Sequence, residues 1–226
     1  MKNFHVLSAL CCLFLLSCSQ PKGDISIVLD NPQSERAVFA AEKLTEALEE
    51  AGYTLADNAE QKIVLGSWQS ESFRETCRQA GWKAEALSGK EAFHLYGNEG
   101  KYLVGGSDES GVLYGAMELC DRLEADKKLP KSIDFQDAPE MVLRGTCIGV
   151  QKTYFLPGRQ VYEYPYTEKE FPWFYDKELW IEYLDMLVEN RMNSLYLWNG
   201  HPFASLVKLP DYPYALEVSE EDFKPM

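Results

Sequence analysis

Met141-Val142-Leu143-Arg144-Gly145-Thr146-Cys147-Ile148-Gly149-Val150 and Ser194-Leu195-Tyr196-Leu197-Trp198 are the two runs that decide the fold. Both are mostly apolar and rich in β-prone residues, so both are predicted strands. Between them Asp176 can cap a helix whose Trp180, Tyr183, Leu184, Leu187 and Val188 share one face. Strand, helix and strand in that order make a βαβ crossover, which joins parallel strands in a helix-covered sheet. A closed barrel of such units needs about 200 residues or more, and fewer than half as many follow Pro139. The expectation for residues 139–226 is the truncated start of a (β/α) barrel.

Working outward, residues 24–138 read as a small α/β domain with a mixed sheet. Ile25-Ser26-Ile27-Val28-Leu29 is a strand, and Asp30-Asn31-Pro32 a turn. Ser34 then caps a helix with Ala37, Ala40, Ala41, Leu44, Leu48 and Ala51 on one face, and Gly52 ends it. Lys62-Ile63-Val64-Leu65-Gly66 is the next strand, and residues 70–80 a helix. Ala92-Phe93-His94-Leu95-Tyr96 and Lys101-Tyr102-Leu103-Val104-Gly105 flank Gly97-Asn98-Glu99-Gly100, a hairpin signal. A last helix starts at Ser107 or Asp108 and buries Val112, Leu113, Ala116, Met117, Cys120 and Leu123. Residues 129–139 turn polar and read as a linker, in which Ile133-Asp134-Phe135 could add an edge strand.

The amino terminus reads as targeting signal. Lys2 precedes an apolar core, residues 6–16, too short to span a bilayer. Leu15-Leu16-Ser17-Cys18-Ser19 then resembles a bacterial lipoprotein signal. That resemblance implies a signal peptide over residues 1–17, lipidation of Cys18 and a tether over residues 18–23. It also implies an outer-membrane lipoprotein facing the periplasm or the cell surface, anchored without crossing the membrane. The alternative is an ordinary cleaved signal peptide. A net charge of −14 leaves no basic excess for phosphates, so no nucleic-acid partner is expected. Cys77, Cys120 and Cys147 lack metal-ligand spacing, and Cys120 and Cys147 are expected as buried packing residues. No metal or cofactor is expected.

Candidate chemistry is sparse. Gly105-Gly106-Ser107-Asp108-Glu109-Ser110-Gly111 joins a strand to a helix, as phosphate loops do. Asp108 and Glu109 would repel a phosphate there, and a tight turn is the simpler reading. His94 lies within a strand and reads as structural. Asn199 and His201 lie just beyond the carboxyl end of the second barrel-type strand, where barrels place substrate-contacting loops. A ligand role and a plain loop role both stay open for them. Arg144 needs a carboxylate, carbonyls or a ligand if its guanidinium is buried. The insert over residues 153–175 carries nine aromatic residues, which could bind sugar faces or pin the loop. No pair of catalytic carboxylates can be assigned, although glycoside cleavage normally needs two. Glu217, Glu220, Glu221 and Asp222 cluster in the tail.

The order of these motifs resembles glycoside hydrolases. The run Gly105-Gly106-Ser107-Asp108-Glu109-Ser110-Gly111-Val112-Leu113-Tyr114-Gly115-Ala116 resembles the small domain that precedes the barrel in family 20 β-hexosaminidases. Family 67 α-glucuronidases carry a similar domain. Pro139-Glu140-Met141-Val142-Leu143-Arg144-Gly145 resembles the first barrel strand of the hexosaminidases, and residues 183–198 the helix and strand that follow. The resemblance implies that Arg144 contacts the terminal sugar, and that the catalytic Asp-Glu pair has no counterpart before residue 226. The function expected from it is the amino-terminal portion of a glycoside hydrolase, inactive alone. It would have an oligosaccharide or polysaccharide as ligand and Arg144, Asn199 and His201 as sugar contacts. Two rivals stand: a non-catalytic glycan-binding module at the membrane surface, and an interaction module whose open barrel edge pairs with a second chain.

Overall fold

The computed structural model describes residues 22–82, 87–150 and 172–199. They fall into two compact units parted between Glu140 and Met141.

The first unit is a mixed six-stranded sheet with helices on both faces. Its elements are β1 (Asp24–Leu29), α1 (Glu35–Glu50), β2 (Thr54–Leu55), β3 (Gln61–Ser67), α2 (Glu71–Gln79), β4 (Phe93–Asn98), β5 (Lys101–Gly106), α3 (Glu109–Asp126) and β6 (Ser132–Asp137). The strand order is β2-β1-β3-β5-β4-β6. The first four are mutually parallel, and β4 runs antiparallel to both β5 and β6.

Side-chain alternation assigns the two faces. Ile63, Leu65 and Val104 are fully buried on one face. There α1 and α3 pack on each other and on the strands, burying Leu44, Leu48, Ala116, Leu119 and Leu123. In α1 the buried positions 37, 40, 44 and 48 repeat at three- and four-residue spacing, one helical stripe. Ser34 Oγ accepts from the Ala37 amide at 3.3 Å, and Gly52, at φ 91°, follows the end of the helix. The opposite face carries α2, whose Phe73 and Cys77 pack with Trp82 and Leu103. Gly66 makes room for this, since a Cβ there would lie 2.2 Å from the Phe73 ring.

Several expectations meet the structure in this unit, and the hairpin turn, Gly97 and Cys120 need correction. The hairpin turn is two residues, not four: Glu99 (φ 50°) and Gly100 (φ 84°) both take positive φ, as a type I′ turn requires. Gly97 belongs to β4 and is needed for packing, because a Cβ there would sit 2.3 Å from the Tyr102 ring. The edge strand read at Ile133-Asp134-Phe135 is present as β6, which pairs with β4 along its whole length and buries Ile133. Cys120 is only half-buried, while Leu119 beside it and Tyr114 turn fully inward. The two-residue strand β2 was not anticipated; it pairs with β1 through Asp24–Thr54 and Ile25–Leu55.

The second unit holds β7 (Gly145–Val150), a short 3₁₀ turn (Pro172–Tyr175), α4 (Lys177–Glu189) and β8 (Ser194–Asn199). Strands β7 and β8 pair in parallel, as a βαβ crossover demands. Asp176 caps α4 by accepting from the Leu179 amide at 3.2 Å. These described residues form a two-stranded sheet with one helix, and no barrel. The first strand is shorter than expected: Met141, Val142 and Leu143 are 66%, 82% and 74% exposed and lie outside the ladder. A side chain holds them instead, with Asn193 Nδ2 donating to the Val142 carbonyl at 2.8 Å. Pairing starts at Gly145, where a Cβ would fall 1.8 Å from the Ser194 carbonyl oxygen. Cys147 is exposed rather than packed. On the predicted apolar face of α4 only Leu187 is fully buried, and Leu184 is 45% exposed.

A Cβ at Gly111 would lie 2.2 Å from the Ala92 carbonyl oxygen. Gly111→Ala should therefore lower stability to urea by about 3 kcal/mol, because backbone and not a yielding side chain is in the way. The exposed control Glu124→Ala should stay within about 0.5 kcal/mol of the parent. Equal effects of the two substitutions would contradict this packing.

Candidate functional site

The register of β7 and β8 locates the expected sugar contacts. Residues pair from Gly145–Ser194 to Val150–Asn199. Asn199 therefore stands at the carboxyl ends of both strands. His201 follows it and lies outside the described residues, as do Cys18, the acidic tail cluster and residues 151–171 of the aromatic insert. Arg144 stands at the other end, immediately before β7. At about 3.3 Å per residue, the backbone separation of Arg144 from Asn199 is about 20 Å, too far for one sugar ring to bridge.

The Arg144 guanidinium donates to backbone carbonyls. Its Nε donates to the Arg191 carbonyl at 2.9 Å, and Nη1 to the Met141 carbonyl at 2.8 Å. Its own amide donates to Asn193 Oδ1 at 3.0 Å. Its carbonyl accepts from the Asn193 and Ser194 amides at 2.8 and 3.0 Å, and from Ser194 Oγ at 3.1 Å. Arg191, at φ 56°, is in the left-handed region that lets the chain turn from α4 into β8. Charge-assisted bonds to carbonyls thus fasten the loop after α4 to the segment before β7. At mid-strand Thr146 Oγ1 and Tyr183 Oη lie 2.6 Å apart, tying β7 to α4.

The described part of the aromatic insert packs on α4. The Trp173 and Phe174 rings lie 6.1 and 5.9 Å from the Trp180 ring, and Trp180 Nε1 donates to the Phe174 carbonyl at 2.8 Å. That arrangement pins the chain ahead of the helix.

The glycine-rich segment is a joint, not a phosphate cradle. Asp108 Oδ1 accepts from the Gly111 amide at 2.8 Å, occupying the donor at the helix start. Its Oδ2 accepts from the Glu91 amide at 3.0 Å. A Cβ on Gly106 would fall 2.2 Å from the Val112 nitrogen, so strand and helix meet there at backbone contact. His94 is buried against Trp82 and shares a 2.6 Å contact between Nε2 and Asp134 Oδ1, which joins β4 to β6.

Glu71 and Glu75 have carboxyls held below the usual range. Arg74, then Arg78, lowers Glu71; Arg78, then Gln79, lowers Glu75. A general acid needs the opposite shift, and both residues sit on the open side of α2. Among the described residues no cluster of three or more His, Cys, Asp or Glu is arranged to hold a metal.

Sequence reasoning missed one feature. A cavity of about 530 Å³ opens beside α2 over β3, β4 and β5, lined by Lys62, Lys101 and Tyr96 among others. Its signal in the sequence was slight: two lysines near the starts of two strands, whose adjacency only the register reveals.

Comparison with solved structures finds glycoside hydrolase domains. A GH138 enzyme targeting pectin rhamnogalacturonan II is 47% identical with a TM-score of 0.68, over 89% of this chain and 28% of that one. BtGH115A, a 4-O-methyl-α-glucuronidase with specificity for decorated arabinogalactans, is 20% identical at a TM-score of 0.58, over 80% of this chain and 26% of its own. CpGH84D is 14% identical at 0.54, over 80% and 28%. The last two likenesses concern the fold alone. No family model and no curated protein matches the chain. The chain thus resembles a fragment of glycoside hydrolase domains, spanning 26–28% of these larger proteins.

Two measurements check this geometry. Arg144→Ala removes two charge-assisted bonds and should lower the stability of the second unit by about 1–3 kcal/mol, seen as a lower Tm. An unchanged Tm would release Arg144 for a ligand role. Burial, then the charge of Asp30, pushes the Cys77 thiol from 9.0 up to about 12. Between those values the unfolded thiol loses its proton while the folded one keeps it, so stability should fall as pH rises above 9. Cys77→Ala should flatten that part of a urea-denaturation series, and an unaltered slope would contradict the burial.

Proposed function

We propose that this chain is the amino-terminal portion of a glycoside hydrolase of the GH138 type, acting on a pectic glycan such as rhamnogalacturonan II. The observation that carries the reading is 47% identity sustained over 89% of the chain. Identity at that level concerns surface and loop residues as well as the core. The families named from motifs, 20 and 67, give way in this proposal to GH138, the type of the 47% identical structure.

In this reading β7, α4 and β8 are the opening units of a catalytic barrel. The exposed Leu184 and Tyr196 (45% and 58%) are positions that further barrel elements would cover. Asn199, the last residue of β8, and His201 are proposed sugar contacts. Arg144 is proposed to position the β7 and β8 ends through its carbonyl bonds, in place of the direct contact implied by the hexosaminidase resemblance. Cys18 would carry the lipid that anchors the protein to the outer membrane, on its periplasmic or surface side. The 226 residues are proposed to be inactive without the rest of the barrel, because no carboxylate pair can be assigned within them.

The chain should release no sugar from rhamnogalacturonan II oligosaccharides over a day, as followed by chromatography. The full-length protein should release it, and Asn199→Ala or His201→Ala within that protein should lower kcat/KM by about tenfold or more. Turnover by the 226 residues alone, or full activity of both variants, would refute the assignment.

A further inference from the structure

The cavity beside α2 is the feature that the glycan reading does not absorb. It belongs wholly to the first unit, and at about 530 Å³ lies within the range of small-molecule sites, about 300–1,000 Å³. Lys62 and Lys101 are direct register partners on β3 and β5, which in parallel strands sets both side chains on the same face. Like charges placed side by side on a sheet destabilise it. Neither ammonium makes an ion pair or hydrogen bond with another described residue. The charges are thus set next to each other and unused by the fold.

The rest of the lining narrows the ligand. Tyr96 is half-buried, its ring stacked on Trp82 at 5.7 Å and 13°. Tyr96 thereby presents a fixed aromatic surface to the cavity. Gln79 from α2 adds an amide, and Glu60 and Glu99 add two carboxylates that likewise form no ion pair among the described residues. A multiply charged anion would gain from the lysines and be repelled by the glutamates. A polyhydroxylated ring with a single carboxylate suits both. Its acid group meets the ammoniums, its hydroxyls donate to the glutamates, and its C–H face lies on an aromatic ring.

We propose that this cavity is a second, non-catalytic saccharide subsite, which takes a uronic acid residue of a glycan chain. The choice of a saccharide rests on the function proposed above; the cavity and its charge pattern do not. Such a subsite would hold an acidic polymer on the first unit, raising the effective concentration of substrate at the protein.

The test is calorimetric titration of the 226-residue chain with trigalacturonic acid, with galactotriose and inorganic phosphate in parallel. Trigalacturonic acid should bind, galactotriose more weakly, and phosphate not measurably. Lys62→Gln with Lys101→Gln should weaken binding by about tenfold or more, as loss of charge-assisted bonds requires, with unchanged circular dichroism. Lys101→Gln alone serves if the double variant does not fold. The exposed control Glu124→Ala should leave this affinity intact, and because binding rather than sugar release is read, the subsite stands or falls apart from the hydrolase assignment. Absence of trigalacturonate binding, equal binding of phosphate, or full affinity in the lysine variants would overturn the proposal.

Discussion

The joint between β5 and α3 constrains the first unit more than any other contact. There Gly106 and Gly111 bring strand, helix and the segment before β4 to backbone contact, with no space for a Cβ at either position. The Ser107 amide donates to the Ala92 carbonyl at 2.8 Å, and the Ala92 amide to Ser107 Oγ at 3.1 Å. Asp108 adds one carboxylate oxygen to each side, Glu91 and Gly111. Because β5 lies between β3 and β4, the joint sets the depth at which α3 sits on the strands. The fully buried Ala116, Leu119 and Leu123 follow from that depth. The acidic residues that exclude a phosphate are the ones that close the turn, so one local chemistry gives the structure and removes the rival function.

The second unit is organised differently. Its two strands make the ladder and one helix covers part of it, while Leu179, Ile181, Leu184 and Met186 are each 38–45% exposed. A pair of parallel strands has little independent stability. What fixes it here is polar: the carbonyl bonds of Arg144, the Asn193 side chain and the contact between Thr146 and Tyr183. The chain as a whole matches about a quarter of the glycoside hydrolase chains it resembles.

Much of this was legible in the residues. The caps at Ser34 and Asp176 lie where side-chain chemistry placed them, because capping is local. The βαβ order of β7, α4 and β8 is legible in two β-prone apolar runs, the Asp176 cap and the helical spacing between them. Errors arose where pairing partners decide the outcome. Met141, Val142 and Leu143 are as β-prone as the residues after them, yet no strand among the described residues lies opposite. Gly97 carries a turn residue's propensity but is used for contact with Tyr102. Cys147 alternates correctly along β7 and still faces outward, since alternation does not say which face is covered. For the candidate site, Arg144 and Asn199 lie on different strands far apart in sequence, and only the register shows them at opposite ends. The adjacency of Lys62 and Lys101 was invisible for the same reason.

The proposed glycan recognition draws on Lys62, Tyr96 and Lys101 in the first unit and, separately, on Asn199 in the second. The most direct check is backbone amide shift mapping of the 226-residue chain during titration with rhamnogalacturonan II oligosaccharides. Shifts should concentrate around Lys62, Tyr96 and Lys101 and at the carboxyl end of β8, leaving α1 and α3 still. A spectrum that does not change with added oligosaccharide, or changes centred on the α1–α3 side, would contradict glycan recognition by this chain.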